Sequence, residues 1–402
     1  MRILFTCVPG IAHLHAMAPL ARAAERAGHT VLVATAPSFR EHFTARRIPA
    51  VGAGADWSQA DPDSLPEFHR HGGDGQLAAF AEVATRGMVD DLSGVIDAFK
   101  PDLVVRDALE FGGWAAAERA GVPLACFTPG MGAERNVMLA MAGEAVSSLA
   151  ERYGLEPDPE LRRLYGYLYL HRRPRVLDFP FGEPYPQEFR YCPPEFDRAG
   201  QSRDPDPDRD LPCWVGELGD RPVVHLSLGT TFVRSDAGRR VIRTVVESLA
   251  GDDVDLVVGT GRGSDPESFG ALPANTRLVP YIDHRVFLAH CSVFINQAGY
   301  TSVLNGIAHG LPMLTLPLGA DQPVVGMNLA NLGMGLCCTN ASKGPFPVLD
   351  PERLDPAAVR SGVRRLLAEE GFGRAVRRVR DEFRALPRLD GVVHRLTEVV
   401  RP

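Results

Sequence analysis

The chain has 402 residues, of which 45% are hydrophobic and 23% are charged, and its formal net charge is −7. This length exceeds one ordinary core, so we expect two domains of roughly 200 residues each. The negative charge excludes a protein that wraps nucleic acid, and no apolar run is long enough to span a bilayer. Seven cysteines without C-x-x-C spacing fit a reducing cytoplasm and give no metal site. We therefore expect a cytoplasmic protein that binds neither nucleic acid nor membrane.

Strands and helices alternate in the N-terminal part of the sequence. Continuous apolar runs predict strands, and small-residue amphipathic stretches predict helices between them. The predicted strands are 3–8, 30–34, 103–105 and 124–127, and the predicted helices are 18–27, 39–45 and 112–120. Apolar strands that are separated by helices imply a parallel sheet covered on both faces.

Arginines and aromatic residues interleave between residues 151 and 201. Such a pattern can bind nucleic acid, but the acidic net charge favours the solvated helical face of a mobile subdomain. The residues concerned are Arg162, Arg163, Tyr165, Tyr167, Tyr169, Arg172, Arg173 and Arg175.

A second α/β series follows a stretch rich in Asp, Pro and Arg, which cannot build a core and predicts a linker at 201–218. The predicted elements are strands at 223–228, 254–258, 277–279 and 313–316, a helix at 239–250, and a helical tail from residue 355. The predicted domains are 1–200 and 219–385, followed by a C-terminal helix at 386–402. Two doubly wound, Rossmann-like domains would face each other across a cleft at their C-terminal strand edges, where such folds bind ligands.

The most informative stretch begins at residue 293, where an apolar strand ends in small and polar residues and a helix opens at once. The N–H groups of a first helical turn are unpaired, the helix dipole is positive there, and a bare glycine lets a phosphate approach. The strand at 313–316 ends near a carboxylate and an amide that can bind hydroxyls. A nucleotide sugar carries both groups, so we expect it at Gln297, Ala298, Gly299, Tyr300, Thr301, Ser302, Asp321 and Gln322.

Two polar residues follow strands of the first domain. His13 comes directly after the first strand, in a loop expected at the sheet edge, where its pKa suits a general base. Asp107 ends another strand and would fix the tautomer of the histidine. Each also has a structural alternative, as a cap of the helix that follows. His15 is a weaker candidate for the base and is expected to line the pocket.

Two further strand ends belong to the second domain. The run from Ser227 through Gly229 to Thr230 places a glycine and hydroxyls after a strand. Tyr281 and Ile282 end another strand, and the aromatic ring is a candidate for stacking on a base. Either segment alone is also compatible with ordinary strand-end packing.

Taken in this order, the segments resemble the nucleotide-sugar glycosyltransferases of the GT-B fold, above all the bacterial branch that decorates macrolides, enediynes and aromatic polyketides. The family's G-x-G-H loop is matched by residues 10–13, its dyad strand by 101–107, and its S-x-G-T turn by 227–230. Its H-G-G-x-G-T signature aligns on 297–302 and its D-Q pair on 321–322. The signature is degraded, because Gln297 stands where the family has a histidine that donates to the diphosphate.

The resemblance implies an inverting single displacement, with His13 as the base and Asp107 orienting it. The nucleoside diphosphate, TDP or UDP, would leave into the helix N-terminus, and the acceptor would be a hydrophobic natural product such as a polyketide, bound beside Ile11 and His15. It also implies no metal and no cofactor beyond the nucleotide-sugar co-substrate, and a C-terminal helix that returns to the N-terminal domain. A homodimer is compatible with the sequence.

Two other functions stay open. A nucleotide-sugar epimerase of the same fold would bind the donor but would need no hydrophobic acceptor pocket. The apolar-rich segment 131–150 favours such a pocket, so the epimerase ranks second. A non-catalytic helper protein would explain Gln297 and Ala298 as marks of a damaged donor site. Such a helper has no need of a base, so the presence of both His13 and Asp107 argues against it.

Overall fold

The computed structural model describes residues 1–59, 61, 63–70, 76–130, 135–178, 187–197, 211–229, 232–233, 235–262, 264, 269–343 and 346–400. The chain divides into two compact units. The N-terminal unit comprises Met1–Pro194 together with Phe383–Pro402, and the C-terminal unit comprises Glu195–Glu382. Most of the predicted linker at 201–218 lies outside the described residues, and the end that is described forms a 3₁₀ turn at Cys213–Glu217.

A seven-stranded parallel sheet forms the centre of the N-terminal unit. Its strand order is β3-β2-β1-β4-β5-β6-β7. Its apolar strands are buried because helices cover them, as the continuous hydrophobic runs predict. The strands are Arg2–Thr6 (β1), Thr30–Thr35 (β2), Ala50–Gly52 (β3), Leu103–Asp107 (β4), Leu124–Phe127 (β5), Leu168–His171 (β6) and Glu188–Arg190 (β7).

Seven α-helices precede the C-terminal unit among the residues that the structure describes. They are Ile11–Arg26 (α1), Arg40–Thr44 (α2), Pro66–Arg70 (α3), Gln76–Glu82 (α4), Met88–Phe99 (α5), Phe111–Ala120 (α6) and Arg135–Arg152 (α7). The first helix begins earlier than predicted, at Ile11 instead of residue 18. Pro19, which is typical of a first helical turn, lies inside the helix, and Gly10 in extended conformation precedes the first turn. His13 therefore belongs to the first turn of a helix and not to a loop.

The basic and aromatic stretch between 151 and 201 is not a solvated helical face, so that prediction was wrong. Residues 168–171 form β6, between β5 and the edge strand β7 of the first sheet, and Arg172 and Arg173, which follow it, are buried. Hydrogen bonds compensate for this burial: Arg172 donates to the carbonyl of Pro129, 43 residues earlier in the chain, and Arg173 donates to Asp178. A local sequence pattern does not reveal such partners, and unpaired arginines would have stayed in water.

The C-terminal unit repeats the same architecture. Its six parallel strands have the order β10-β9-β8-β11-β12-β13, and a small antiparallel hairpin is added. The strands are Val223–Ser227 (β8), Asp255–Gly259 (β9), Thr276–Val279 (β10), Val293–Asn296 (β11), Met313–Thr315 (β12), Gly335–Cys337 (β13), Ala341–Lys343 (β14) and Phe346–Val348 (β15). The predicted α/β fold with two doubly wound parallel sheets is confirmed.

The remaining helices are Asp236–Ser248 (α8), His284–Phe287 (α9), Tyr300–His309 (α10), Gln322–Asn331 (α11), Pro356–Ala368 (α12), Glu370–Arg384 (α13) and Leu389–Val400 (α14). The helices α8 to α13 begin in the C-terminal unit, and α14 belongs to the C-terminal segment of the N-terminal unit. The predicted helical tail begins where expected, because Asp355 caps α12. The last helix packs on α1, and Val392, Val393 and Leu396 are buried in the core of the N-terminal unit.

Strand order locates the candidate sites. In each sheet the chain starts in the middle and then crosses to the other side, so β1 lies beside β4 and β8 beside β11. The carboxyl ends of such neighbouring strands form a topological switch point, where open α/β sheets bind ligands. The carboxyl ends of β1 and β4, and of β8 and β11, lie on this edge of their own sheets.

Candidate active site

His13 and Asp107 meet at the switch point of the N-terminal unit. His13 lies in the first turn of α1, directly after β1, and Asp107 is the last residue of β4. The distance between His13 Nδ1 and Asp107 Oδ2 is 2.5 Å. His13 is 5% exposed and Asp107 is fully buried. The structure thus brings together the two residues that the sequence predicted as a dyad.

Asp107 does not cap the helix that follows it. Glu110 has that role, since its carboxylate accepts hydrogen bonds from the N–H groups of Gly112 and Gly113. The second carboxylate oxygen of Asp107 instead accepts a hydrogen bond from the N–H of Leu109, at 3.0 Å. Both oxygens of Asp107 are therefore engaged, one by the chain and one by the imidazole.

The pairing fixes what the imidazole can do. When Nδ1 donates its proton to Asp107, the Nε2 nitrogen carries a lone pair and can accept a proton. The buried carboxylate then stabilises the imidazolium that forms. The arrangement is that of an oriented general base.

The surroundings of the dyad are buried and rich in negative charge. Burial raises the pKa of the Cys7 thiol well above its ordinary value, and the nearby Asp107 and Glu110 carboxylates raise it further. Burial also raises the pKa of Glu110, against the hydrogen bonds that its carboxylate accepts. Cys7 is consequently a neutral thiol, and it offers no nucleophile beside His13.

Gln59 is a residue near the base that sequence reasoning missed. Its N–H donates to the carbonyl of Pro9 at 2.9 Å, and its side-chain oxygen covers Gly10, where an added Cβ would lie 2.4 Å from it. That same Cβ would lie 3.0 Å from the His13 ring, so Gln59 and His13 flank Gly10. No local pattern marks a glutamine in a turn, and only the fold brings it there. Of the predicted acceptor residues, Ile11 and His15 are half-buried in the opening of α1.

Gln297 occupies the switch point of the C-terminal unit. It follows β11, is 7% exposed, and directs its amide nitrogen towards two glycines. A Cβ added at Gly229, after β8, would lie 2.4 Å from that nitrogen, and one at Gly299 would lie 2.6 Å from it. Gln297 therefore lies between the turn that follows β8 and the start of α10. Its side-chain oxygen is buried and has no hydrogen-bond partner among the described residues.

The backbone around Gln297 is unusual. Ala298 is fully buried and has a φ of 65°, in the left-handed region that favours glycine. Its N–H donates to the side-chain oxygen of Asn296 at 2.8 Å, which holds the turn in place. Gly299 then leads into α10, whose N-terminus has no side-chain cap. The first-turn N–H groups of α10, from Tyr300 to Ser302, can therefore bind an anion.

The other predicted donor residues lie in different local surroundings. Ser227 ends β8, and Gly229 has a φ of 68°, as a tight turn requires, while Thr230 lies outside the described residues. The Arg262 guanidinium stacks on the Tyr281 ring, 3.8 Å from its centroid. Ile282 is buried in a hydrophobic cluster, so only its backbone is available to a ligand.

Gln322 shapes the loop after β12. Its side-chain oxygen accepts hydrogen bonds from the N–H groups of Leu318 and Gly319, at 2.8 and 3.2 Å. Only its amide nitrogen can then serve a ligand. Asp321 is exposed at the start of α11 and follows Ala320, whose φ is 55°. The sheet order places this loop beside the Gln297 turn, because β12 pairs with β11.

The described residues offer neither a metal-binding cluster nor a membrane-spanning helix. They contain no group of three or more His, Cys, Asp or Glu side chains that could hold a metal ion. Within the same ranges, none of the helices is long and apolar enough to cross a membrane.

Comparison with known proteins gives consistent results. Residues 243–399 match the family described as erythromycin biosynthesis protein CIII-like, C-terminal domain. The chain is 27% identical to 4'-demethylrebeccamycin synthase of Lentzea aerocolonigenes, over 96% of each chain. It is 27% identical to 10-deoxymethynolide desosaminyltransferase of Streptomyces venezuelae, over 98% of this chain and 96% of the relative. The resemblance predicted from the sequence is confirmed.

Solved structures show the same fold. The glycosyltransferase SnogD from Streptomyces nogalater matches with a TM-score of 0.76 at 24% identity, over 100% of this chain and 99% of that chain. The glycosyltransferase VinC, solved in complex with DTDP, matches with a TM-score of 0.77 at 24% identity and the same coverage. These likenesses confirm the predicted fold, two Rossmann-like parallel-sheet domains as in GT-B glycosyltransferase structures.

Proposed function

We propose that this protein is an inverting glycosyltransferase of antibiotic biosynthesis. It transfers a sugar from a nucleoside-diphosphate sugar, linked to TDP or UDP, to a hydroxyl of a hydrophobic natural product such as a polyketide. The observation that carries the proposal is the buried contact between His13 and Asp107, at 2.5 Å. An oriented base of this kind suits activation of a hydroxyl, and neither donor binding alone nor a helper role requires it.

The proposed reaction is a single displacement. His13 Nε2 removes the proton of the acceptor hydroxyl as that oxygen attacks C1 of the sugar. The bond from C1 to the acceptor oxygen forms while the bond from C1 to the phosphate oxygen breaks, which inverts C1. The nucleoside diphosphate departs with its electron pair, and His13 holds the proton as an imidazolium next to Asp107.

The α10 N-terminus is the proposed site of the diphosphate. Its uncapped N–H groups and helix dipole stabilise the negative charge that develops on the leaving group. The amide nitrogen of Gln297 lies beside the same turn and can donate to a phosphate oxygen. We propose that these donors suffice without a metal ion, and that Asp321 and Gln322 bind sugar hydroxyls.

The names of relatives support the substrate classes. One relative, from Streptomyces peucetius, is called TDP-daunosamine transferase DnrS, and others are named for 10-deoxymethynolide and tylactone. We extend these classes to the present chain, with thymidine diphosphate sugars as the first donors to test. All seven cysteines are free thiols, which fits a reducing cytoplasm as the proposed location.

The test is an acceptor-dependent release of nucleoside diphosphate. TDP- and UDP-sugars are screened with a set of polyketide aglycones, with and without a chelator, and the product is analysed by mass spectrometry and by the NMR coupling of its anomeric proton. We expect an inverted glycoside, and His13→Ala should lower turnover by about 10²–10⁴-fold while donor affinity stays nearly unchanged. Interconversion of the donor sugar without acceptor would indicate an epimerase. Absence of any donor binding would indicate a helper protein.

A further inference from the structure

A fully buried arginine stands next to the dyad, and the proposed reaction does not use it. Arg106 immediately precedes Asp107 in β4 and is 0% exposed. Its neighbours Val104 and Val105 are aliphatic and equally buried. A buried cation loses its hydration, and a well-packed apolar side chain at such a position is often as stable or more so. Stability alone therefore does not account for an arginine here.

The guanidinium of Arg106 holds one turn of the backbone. Its Nη1 donates to the carbonyl of Glu110 at 2.9 Å, and its Nη2 donates to the carbonyl of Ala108 at 3.2 Å. Nε donates to the carbonyl of Leu164 at 3.1 Å, which ties the turn to the segment before β6. The Phe111 ring covers the guanidinium at 5.3 Å from its centroid. Only a planar group with several donors can satisfy these carbonyls together.

The turn that Arg106 holds is the one that orients Asp107. Leu109 lies between the two carbonyls bound by Nη1 and Nη2, and its N–H donates to Asp107 Oδ1. The other carboxylate oxygen of Asp107 meets His13. A shift of the turn would therefore move the Leu109 N–H and rotate the carboxylate that faces the imidazole. Glu110 fixes the far end of the turn, because its carboxylate caps α6.

We propose that Arg106 is a positioning residue of the dyad. Its hydrogen bonds to the carbonyls on both sides of Leu109 hold the Leu109 N–H in place. That N–H in turn fixes the carboxylate of Asp107 in the orientation that His13 requires. The positive charge of Arg106 also lowers the pKa of the buried Glu110 carboxyl, against the larger effect of burial. The proposal rests on the proposed function, in which this dyad activates the acceptor.

Arg106→Lys tests the role of these hydrogen bonds, since lysine keeps the charge but cannot reach three carbonyls with one ammonium group. We expect kcat to fall by about 10–10²-fold, as for a small misplacement of a reacting group, with the KM for the nucleotide sugar nearly unchanged. The matched control is Arg163→Lys, in the same unit. Its guanidinium binds the carbonyl of Pro157 at 3.2 Å and the carboxylate of Glu118 at 2.6 Å. The control should leave kcat within about twofold of the wild type.

A double-mutant cycle separates positioning from general damage. In a His13→Ala background no base remains to be positioned, so Arg106→Lys should change the residual turnover by less than about twofold. An equal loss in both backgrounds would overturn the proposal, because Arg106 would then act on something other than the dyad. If the lysine variant does not fold, Arg106→Gln replaces it, since its amide keeps a hydrogen-bond donor but is too short to reach the three carbonyls.

A spectroscopic readout is independent of turnover. The Nδ1 proton of His13, held between the imidazole and Asp107, should give a low-field NMR resonance that identifies the dyad, and Asp107→Asn assigns it. We expect Arg106→Lys to shift or broaden this resonance and Arg163→Lys to leave it unchanged. An unchanged resonance in Arg106→Lys would refute the positioning role. A shifted resonance together with normal turnover in His13→Ala would instead refute the proposed function and leave the positioning intact.

Discussion

Removing the side chain of Gln297 should weaken binding of the nucleoside diphosphate without a matching loss of stability. The amide nitrogen lies against Gly229 and Gly299, beside the uncapped start of α10. The side-chain oxygen is buried and unpartnered among the described residues, and a buried acceptor in this state costs about 1–3 kcal/mol. Gln297→Ala removes this cost together with the packing of the side chain, so the free energy of unfolding should change little.

The expected loss of affinity follows from the charge of the ligand. A hydrogen bond to a charged group contributes about 1.5–3 kcal/mol, which corresponds to about 10- to 150-fold in the dissociation constant. Gln297→His should retain or improve the affinity, most clearly below neutral pH, where the imidazole is a cation. Gln297→Glu should lose the most, because it has the same shape but no N–H to donate, and its carboxylate would repel the diphosphate and compete for the helix N-terminus.

Calorimetric titration of thymidine diphosphate into the four proteins measures these differences. Asn275→Ala is the matched control, since Asn275 is a buried amide at the opposite edge of the same sheet, at the start of β10. Its nitrogen donates to the carbonyls of Leu249, Asp252 and Val254 at 2.9, 3.2 and 3.2 Å. The control should lower stability and leave affinity unchanged, the reverse of Gln297→Ala. Unchanged affinity in Gln297→Ala would show that the α10 backbone alone holds the phosphates.

Three further predictions concern stability and the base. Asp107→Asn should lower turnover by about 10²–10⁴-fold in a steady-state assay while circular dichroism shows an intact fold, because Glu110 and not Asp107 caps α6; unfolding would contradict this. Ala298→Gly and Ala320→Gly both relieve a positive φ, but only Ala298 loses a buried methyl group, so urea unfolding should show Ala298→Gly to be less stable than Ala320→Gly by about 0.8 kcal/mol or more. Burial, and then the charge of His284, lower the pKa of His225 to about 3. Between pH 6.5 and about 3 the unfolded chain therefore binds a proton that the folded chain does not. As the pH falls through this range, the free energy of unfolding should decrease by up to about 1.4 kcal/mol per pH unit. The same dependence of unfolding free energy on pH in His225→Phe would contradict this.

The strand ends were predictable because they depend on short-range patterns. Apolar runs that stop at a glycine or a polar residue located β1, β4, β8 and β11, and parallel strands bring their carboxyl ends to one edge. His13 and Asp107 could therefore be paired although they are 94 residues apart in the sequence. The helical position of His13 was missed because Pro19, a residue common in first turns, lies within α1.

Contacts between distant side chains were not predictable. Arg172 and Arg173 looked like solvated residues, but the Arg172 guanidinium donates to the carbonyl of Pro129, 43 residues earlier in the chain, and Arg173 donates to Asp178. Gln59 reaches Gly10 only because its N–H binds the carbonyl of Pro9. A periodic pattern reports which face of an element is buried, but it carries no information about which polar partners make that burial tolerable.

The two switch points have similar structures, so the effect of Gln297 replacing the histidine of the family's signature can be compared with that of a change at the dyad. At each one, a turn after the first strand of the sheet lies against a polar side chain from the end of the fourth strand: α1 with His13 against Asp107, and Gly229 against Gln297. In the first case the contact is a hydrogen bond between two side chains, so replacing either residue removes the pair on which the proposed proton transfer depends. In the second it is a side chain against bare glycine backbone, and any residue with a donor of suitable length can fill it. Glutamine at position 297 is therefore a smaller departure than a change at His13 or Asp107 would be. The position there that favours a fixed residue type is Gly229, whose φ is 68°, while a Cβ at Gly299 would only displace the end of the Gln297 side chain.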